Sequence, residues 1–202
     1  MQTKALVTAF ILLVQLWLIS CGSQPHKVER IAVDEVNDLS GRWNDTDSRL
    51  VSEEMVRDML NRAWLNKHVQ STGNMPTVIV GSIHNLSHEH INVLTFINDI
   101  EREIINSGEV NFVADAKERL QIREERRDQD LNASAATRKA MGQELGADYI
   151  LVGSINTIVD QLGKTRVVYY QTDLKLLSLT DNRTAWIGQK KIKKLIEGHL
   201  HY

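Results

Sequence analysis

The chain has 202 residues, 24 Lys and Arg against 26 Asp and Glu, and a formal charge of −2 at neutral pH; it lacks the single-sign field that draws a domain to nucleic acid. A lone cysteine excludes an intramolecular disulfide and any cysteine-cluster metal site. The length suits one domain with a full hydrophobic core, which packing alone has to hold together.

Lys4 precedes an almost unbroken apolar run from Ala5 to Ile19, the length of a signal-peptide core and short for a membrane span. The run closes on Leu18-Ile19-Ser20-Cys21, which resembles the lipobox of bacterial lipoproteins. The resemblance implies a diacylglyceryl group on the Cys21 thiol, cleavage after Ser20 and acylation of the new N-terminus. Two or three chains anchor far more firmly than one, because each buried CH₂ contributes about 0.8 kcal/mol. Gly22 stands where an Asp would favour retention at the inner membrane, so the resemblance points to the outer membrane. Residues 1–20 are therefore expected to be a lipoprotein signal peptide, 21–37 a short polar tether carrying Pro25, and 38–202 the folded domain.

The segment Asp38 to Asp47 is dense in turn and cap residues, with Asp47 a candidate N-cap. From Ser48 to Leu65, Val51, Met55, Val56, Met59, Leu60, Ala63 and Trp64 recur at spacings of three and four, the pattern of one amphipathic helix. Gly73, Asn74 and Pro76 end it. Thr77 to Ile83 is a β-branched run that reads as a strand buried on both faces. Ile91 to Ser107 sets Val93, Ile97, Ile100 and Ile104 on one helix face, with Gly108 as the terminating residue. Val110 to Val113 is a short strand, and Ala114 to Arg127 a polar, solvated helix broken by Asp130-Leu131-Asn132.

A slim helix over Ser134 to Leu145 then runs into the strand Asp148 to Ile155. Past a turn at Gly163-Lys164, alternation from Val168 to Leu176 marks a half-buried antiparallel strand. A second turn, at Asp181-Asn182, leads to a last strand over Thr184 to Ile192, giving a C-terminal β-meander. Val78 to Ile83 and Ile150 to Ile155 match around an identical Gly-Ser, suggesting two central strands whose glycines let a helix approach.

Catalytic patterns are missing. Gly163-Lys164-Thr165 copies the tail of a phosphate-binding loop, but Ile158 stands where its first glycine belongs. No serine-nucleophile elbow or Ser-x-x-Lys occurs. His84, His88, Glu89 and His90 lie where a strand gives way to a loop and lack the spacing of a zinc site. Lys190, Lys191, Lys193 and Lys194 read as an aggregation block on an edge strand.

Asp38-Leu39-Ser40-Gly41-Arg42-Trp43-Asn44-Asp45-Thr46-Asp47 with the following helix, and Leu145 to Ile155 later, resemble the penicillin-binding-protein activator lipoproteins of the LpoB type. That resemblance implies a mixed α+β domain: a central mixed sheet flanked by about four helices, similar to the TolB N-terminal domain. It implies no enzyme activity and no cofactor. It further implies anchorage in the outer membrane, facing the periplasm, where the domain activates a bifunctional class A penicillin-binding protein, with peptidoglycan as a further candidate partner. The best-known members carry a long proline-rich tether, whereas about 20 residues here reach at most roughly 70 Å. A structural subunit of an envelope assembly or curli-type secretion complex is the alternative, since related domains occur there.

Overall fold

The computed structural model describes residues 28–133 and 144–198. Cys21, the apolar run before it and most of the helix expected over Ser134 to Leu145 lie outside the described residues. The chain divides into two compact units, 1–35 and 36–202. In the first, the Glu35 N–H closes a turn on the Ala32 carbonyl at 3.2 Å, and Val28 and Val33 are exposed.

The second unit is built on one five-stranded mixed sheet. Its elements are α1 (Asp45–Leu60), α2 (Ala63–Thr72), β1 (Thr77–Leu86), α3 (Val93–Ser107), β2 (Asn111–Phe112), α4 (Ala116–Asn132), β3 (Tyr149–Leu162), β4 (Thr165–Ser178) and β5 (Thr184–Glu197). The strand order is β2-β1-β3-β4-β5. β1 pairs parallel with β2 and β3, while β3, β4 and β5 form the antiparallel meander expected from their turns.

The mixed α+β architecture with four described helices agrees with the expectation from sequence. The core joins α1 (Val51, Met55, Met59) and α3 (Phe96, Ile100, Ile104) to Val78, Leu151, Ile155, Val168, Tyr170, Leu174 and Leu176 of the sheet.

Several boundaries differ, each for a physical reason. Asn44, not Asp47, is the N-cap of α1: its side chain accepts the Asp47 N–H while the Asp47 carboxylate accepts the Asn44 N–H, a reciprocal capping box. The single helix expected over 48–65 is two, separated at Asn61-Arg62. Trp64 stays buried because α2 changes direction and its indole N–H donates to the Met59 carbonyl at 2.7 Å, whereas Ala63 is exposed. The buried stripe of α3 is centred on Phe96, with Val93 and Ile97 at its margin. α4 continues through Asp130-Leu131-Asn132 and buries no residue.

β1 is buried on both faces only near its start: beyond a register shift between Val80 and Ile83, Ser82, His84 and Leu86 are exposed. The two Gly-Ser pairs therefore do not align. Gly81 lies in that bulge, where an added Cβ would come within 2.7 Å of Ile150 Cδ1. Gly153 pairs with Leu174, and a Cβ there would strike the Asp173 carbonyl oxygen. Neighbouring strands, not helices, are what these glycines admit.

Candidate functional site

Two constructions draw on the helical side and one end of the sheet. The first fixes Asp38 to Asp47 onto the sheet. Gly41 turns the chain at φ +65°, and a Cβ there would lie 2.5 Å from the Ile196 side chain. Beyond it the Trp43 ring packs edge-on against Phe96 and Tyr170, with centroids 6.0 and 5.7 Å apart. The Trp43 indole N–H donates to Ser48 Oγ at 2.9 Å, and its backbone N–H to Glu89 Oε2 at 3.2 Å.

Glu89 is the hub. Its other oxygen accepts the Tyr170 hydroxyl at 2.8 Å and lies 3.9 Å from the Arg166 guanidinium. Burial, then the Glu89 bond, pushes the Tyr170 hydroxyl pKa well up.

Lys194 completes this construction. Its Nζ donates to Asp38 Oδ1 and Asp47 Oδ2, each at 2.7 Å, and to the Arg42 carbonyl at 3.1 Å. Two carboxylates thus share one ammonium. The hydrogen bond from Lys194 holds the exposed Asp38 below the usual carboxylate range, whereas burial pushes Asp47 up against the same partner. Burial opposes the Lys194 charge, but its bonds to Asp38 and Asp47 outweigh that and raise its pKa.

The second construction is a cleft of about 530 Å³ between α2 and the ends of β3, β4 and β5. Trp64, Tyr149 and Trp186 supply aromatic surface, and Arg62, Lys67 and Arg183 supply cations. Trp64 and Tyr149 meet edge-on at 5.0 Å, and His68 Nδ1 lies 3.1 Å from the Tyr149 hydroxyl. Among the described residues that line the cleft none is acidic, although Asp148 lies 3.8 Å from His68. Asp58 and Asp181 sit behind it, holding Arg62 and Arg183, while Asp58 also accepts the Trp186 indole N–H at 2.9 Å. Aromatic faces beside guanidinium groups are the composition of protein-recognition hot spots.

The model of the family described as peptidoglycan-synthase activator LpoB matches residues 47–192, most of the chain. The chain belongs to the LpoB family. Among solved structures it is similar to the C-terminal domain of LpoB from Escherichia coli, at 16% identity and TM-score 0.43, covering 73% of this chain and 99% of that one. An NMR structure of E. coli LpoB is 15% identical with TM-score 0.40, covering 89% of this chain and 85% of that one. The lipoprotein GNA1162 from Neisseria meningitidis is 15% identical with TM-score 0.39, covering 59% and 83%. No curated protein sequence gives a significant match.

The Asp38–Asp47 segment, which lies outside the family match except for Asp47, is the strap locked by Glu89 and Lys194. The residues considered for metal binding separate into other work. Glu89 serves the strap, the His88 backbone N–H and ring Nδ1 lie 3.1 and 3.0 Å from Thr157 Oγ1, and His84 and His90 are exposed. No group of three or more His, Cys, Asp or Glu arranged to hold a metal occurs among the described residues.

The four lysines lie on β5, which is an edge strand, but they divide by parity. Lys190 reaches Glu54 and Lys194 the strap, while Lys191 and Lys193 are exposed. Sequence reasoning missed the cleft, because Trp64, Tyr149 and Trp186 come from three elements with no spacing to connect them.

Proposed function

We propose that this protein is a non-catalytic envelope lipoprotein, anchored through Cys21 in the outer membrane, that binds and activates a bifunctional class A penicillin-binding protein. Residues 1–20 are its signal peptide, 21–37 its tether and 38–202 the activating domain. The family match over residues 47–192 carries this reading. The cleft between α2 and the meander supports it by offering aromatic and cationic groups, Lys67 among them, to an acidic segment of the synthase.

The test is glycan polymerisation by a purified class A synthase, with and without the lipid-free protein. The wild type is expected to raise the rate, and Lys67→Glu combined with Arg183→Glu to abolish the rise without lowering the melting temperature. A synthase rate unchanged by wild-type protein would sink the proposal.

A further inference from the structure

The face of the meander turned away from α1 and α3 carries an ordered polar surface that neither the strap nor the cleft uses. Register places its side chains in rows across β3, β4 and β5: Asn156, Gln171 and Lys191; Ser154, Asp173 and Gln189; Ile158, Tyr169 and Lys193. Neighbouring strands lie about 4.8 Å apart, so each row presents groups at a regular short interval.

The middle of this surface is fixed before any ligand arrives. Asp173 accepts from Gln171 Nε2 at 2.8 Å, from Gln189 Nε2 at 2.7 Å and from Asn156 Nδ2 at 3.5 Å, and Asn156 also donates to Ser154 Oγ at 3.1 Å. The Tyr169 hydroxyl donates to Gln171 Oε1 at 3.2 Å, which orients the ring beside the amides. An amide carries two donors and an acceptor. Asn156 and Gln189 therefore keep their carbonyl oxygens, and Gln171 and Gln189 a second N–H, for an outside partner.

Shallow grooves flank the network, one of about 440 Å³ lined by Ile158, Asp160, Val167, Tyr169, Gln171 and Lys193, the other of about 660 Å³ whose lining includes Val152, Ser154, Asp173, Lys175 and Ile187.

We infer that this sheet face binds a polysaccharide bearing N-acetyl and carboxylate groups. Planar amides held by a carboxylate offer paired donors and acceptors to sugar hydroxyls and acetamido groups. The ring of Tyr169 and the exposed Ile158 provide apolar surface for sugar C–H faces and methyl groups. Lys175, Lys191 and Lys193 are exposed on or beside the rows, where they meet carboxylate substituents. A protein partner fits less well, because protein-interface cores are depleted in charge and built on large aromatic anchors. The inference stands on this face alone and does not depend on synthase activation.

The test is co-sedimentation of the full chain, in detergent, with purified peptidoglycan sacculi, together with titration by soluble β-1,4-linked N-acetylglucosamine oligomers. Wild type is expected to bind both probes. Gln189→Ala combined with Lys191→Ala, two exposed positions that leave the core intact, should weaken sacculus binding at least about tenfold, as should Asp173→Ala. Lys67→Glu in the cleft should leave it unchanged. Failure of wild type to bind either probe overturns the inference, as does equal binding by the double variant. Displacement from sacculi by polyglutamate as readily as by glycan would overturn it too, since that behaviour belongs to an acidic-peptide site.

Discussion

The side chains around the strap show why a carboxylate can sit among apolar residues. Glu89 has only 12% of its side chain exposed, yet it accepts the Tyr170 hydroxyl and the Trp43 N–H and lies near Arg166, so its desolvation is offset by directed partners. Lys194 faces a different balance, one ammonium against two carboxylates, and its linkage to pH follows from the three directions of shift. The raised pKa of Lys194 means that its contribution is complete below its ordinary value and is lost only as the pH climbs through the folded value. The lowered pKa of Asp38 contributes stability above the ordinary carboxylate range that disappears on acidification. Asp47 runs the other way: its raised pKa makes ionisation costly, so acidification through its folded value relieves the strap. Lys194→Met leaves Asp47 without its cation, and the expected cost near pH 7 is about 1–3 kcal/mol. The penalty should shrink on acidification, because burial raises the Asp47 pKa and a carboxylate without its cation takes up a proton. Thermal unfolding of both proteins from neutral pH downward measures it; a penalty that grows on acidification would contradict the shared-ammonium account.

At the level of elements, periodicity located most of the fold because burial writes itself into spacing. The 3.6-residue stripes of α1 and α3 and the alternation from Val168 to Leu176 were legible for this reason. The break between α1 and α2 was not, since the apolar spacing runs on through Trp64 and no glycine or proline marks Asn61-Arg62. The far ends of β3 and β5 were also invisible: Ile158 to Leu162 and Leu195 are exposed, and unburied strands carry no hydrophobic alternation. The echoed Gly-Ser pairs looked equivalent in sequence, yet pairing gives them different neighbours. Gly153→Ala would drive a methyl group into the Asp173 carbonyl across the β3–β4 seam, which backbone alone can relieve; about 1–3 kcal/mol of stability should be lost. Gly81→Ala meets only side-chain atoms, those of Ile150 and Val152, which can shift where a backbone carbonyl cannot, and should cost less. Urea denaturation of the two variants, compared by midpoint at constant m-value, distinguishes them, and equal losses would refute the assignment.

For the molecule as a whole, the described apolar core extends from Val51 to Trp186. Under the proposed anchoring, a lipid on Cys21 would act through effective concentration rather than through contacts. With that anchoring, a tether of about 20 residues, roughly 25 Å as a flexible coil, would confine the domain near the membrane and restrict encounters to a synthase that projects toward it. Cys21→Ser removes the acyl attachment point. The variant should keep the wild-type melting temperature and, once purified, the wild-type affinity for the synthase, while its activity in cells falls. Membrane fractionation with labelled-palmitate incorporation compares the two directly: label and membrane association are expected for wild type and absent from the variant. Equal labelling of both, or wild-type protein found wholly in the soluble fraction, would remove the lipid anchor and with it the confinement that makes a short tether functional.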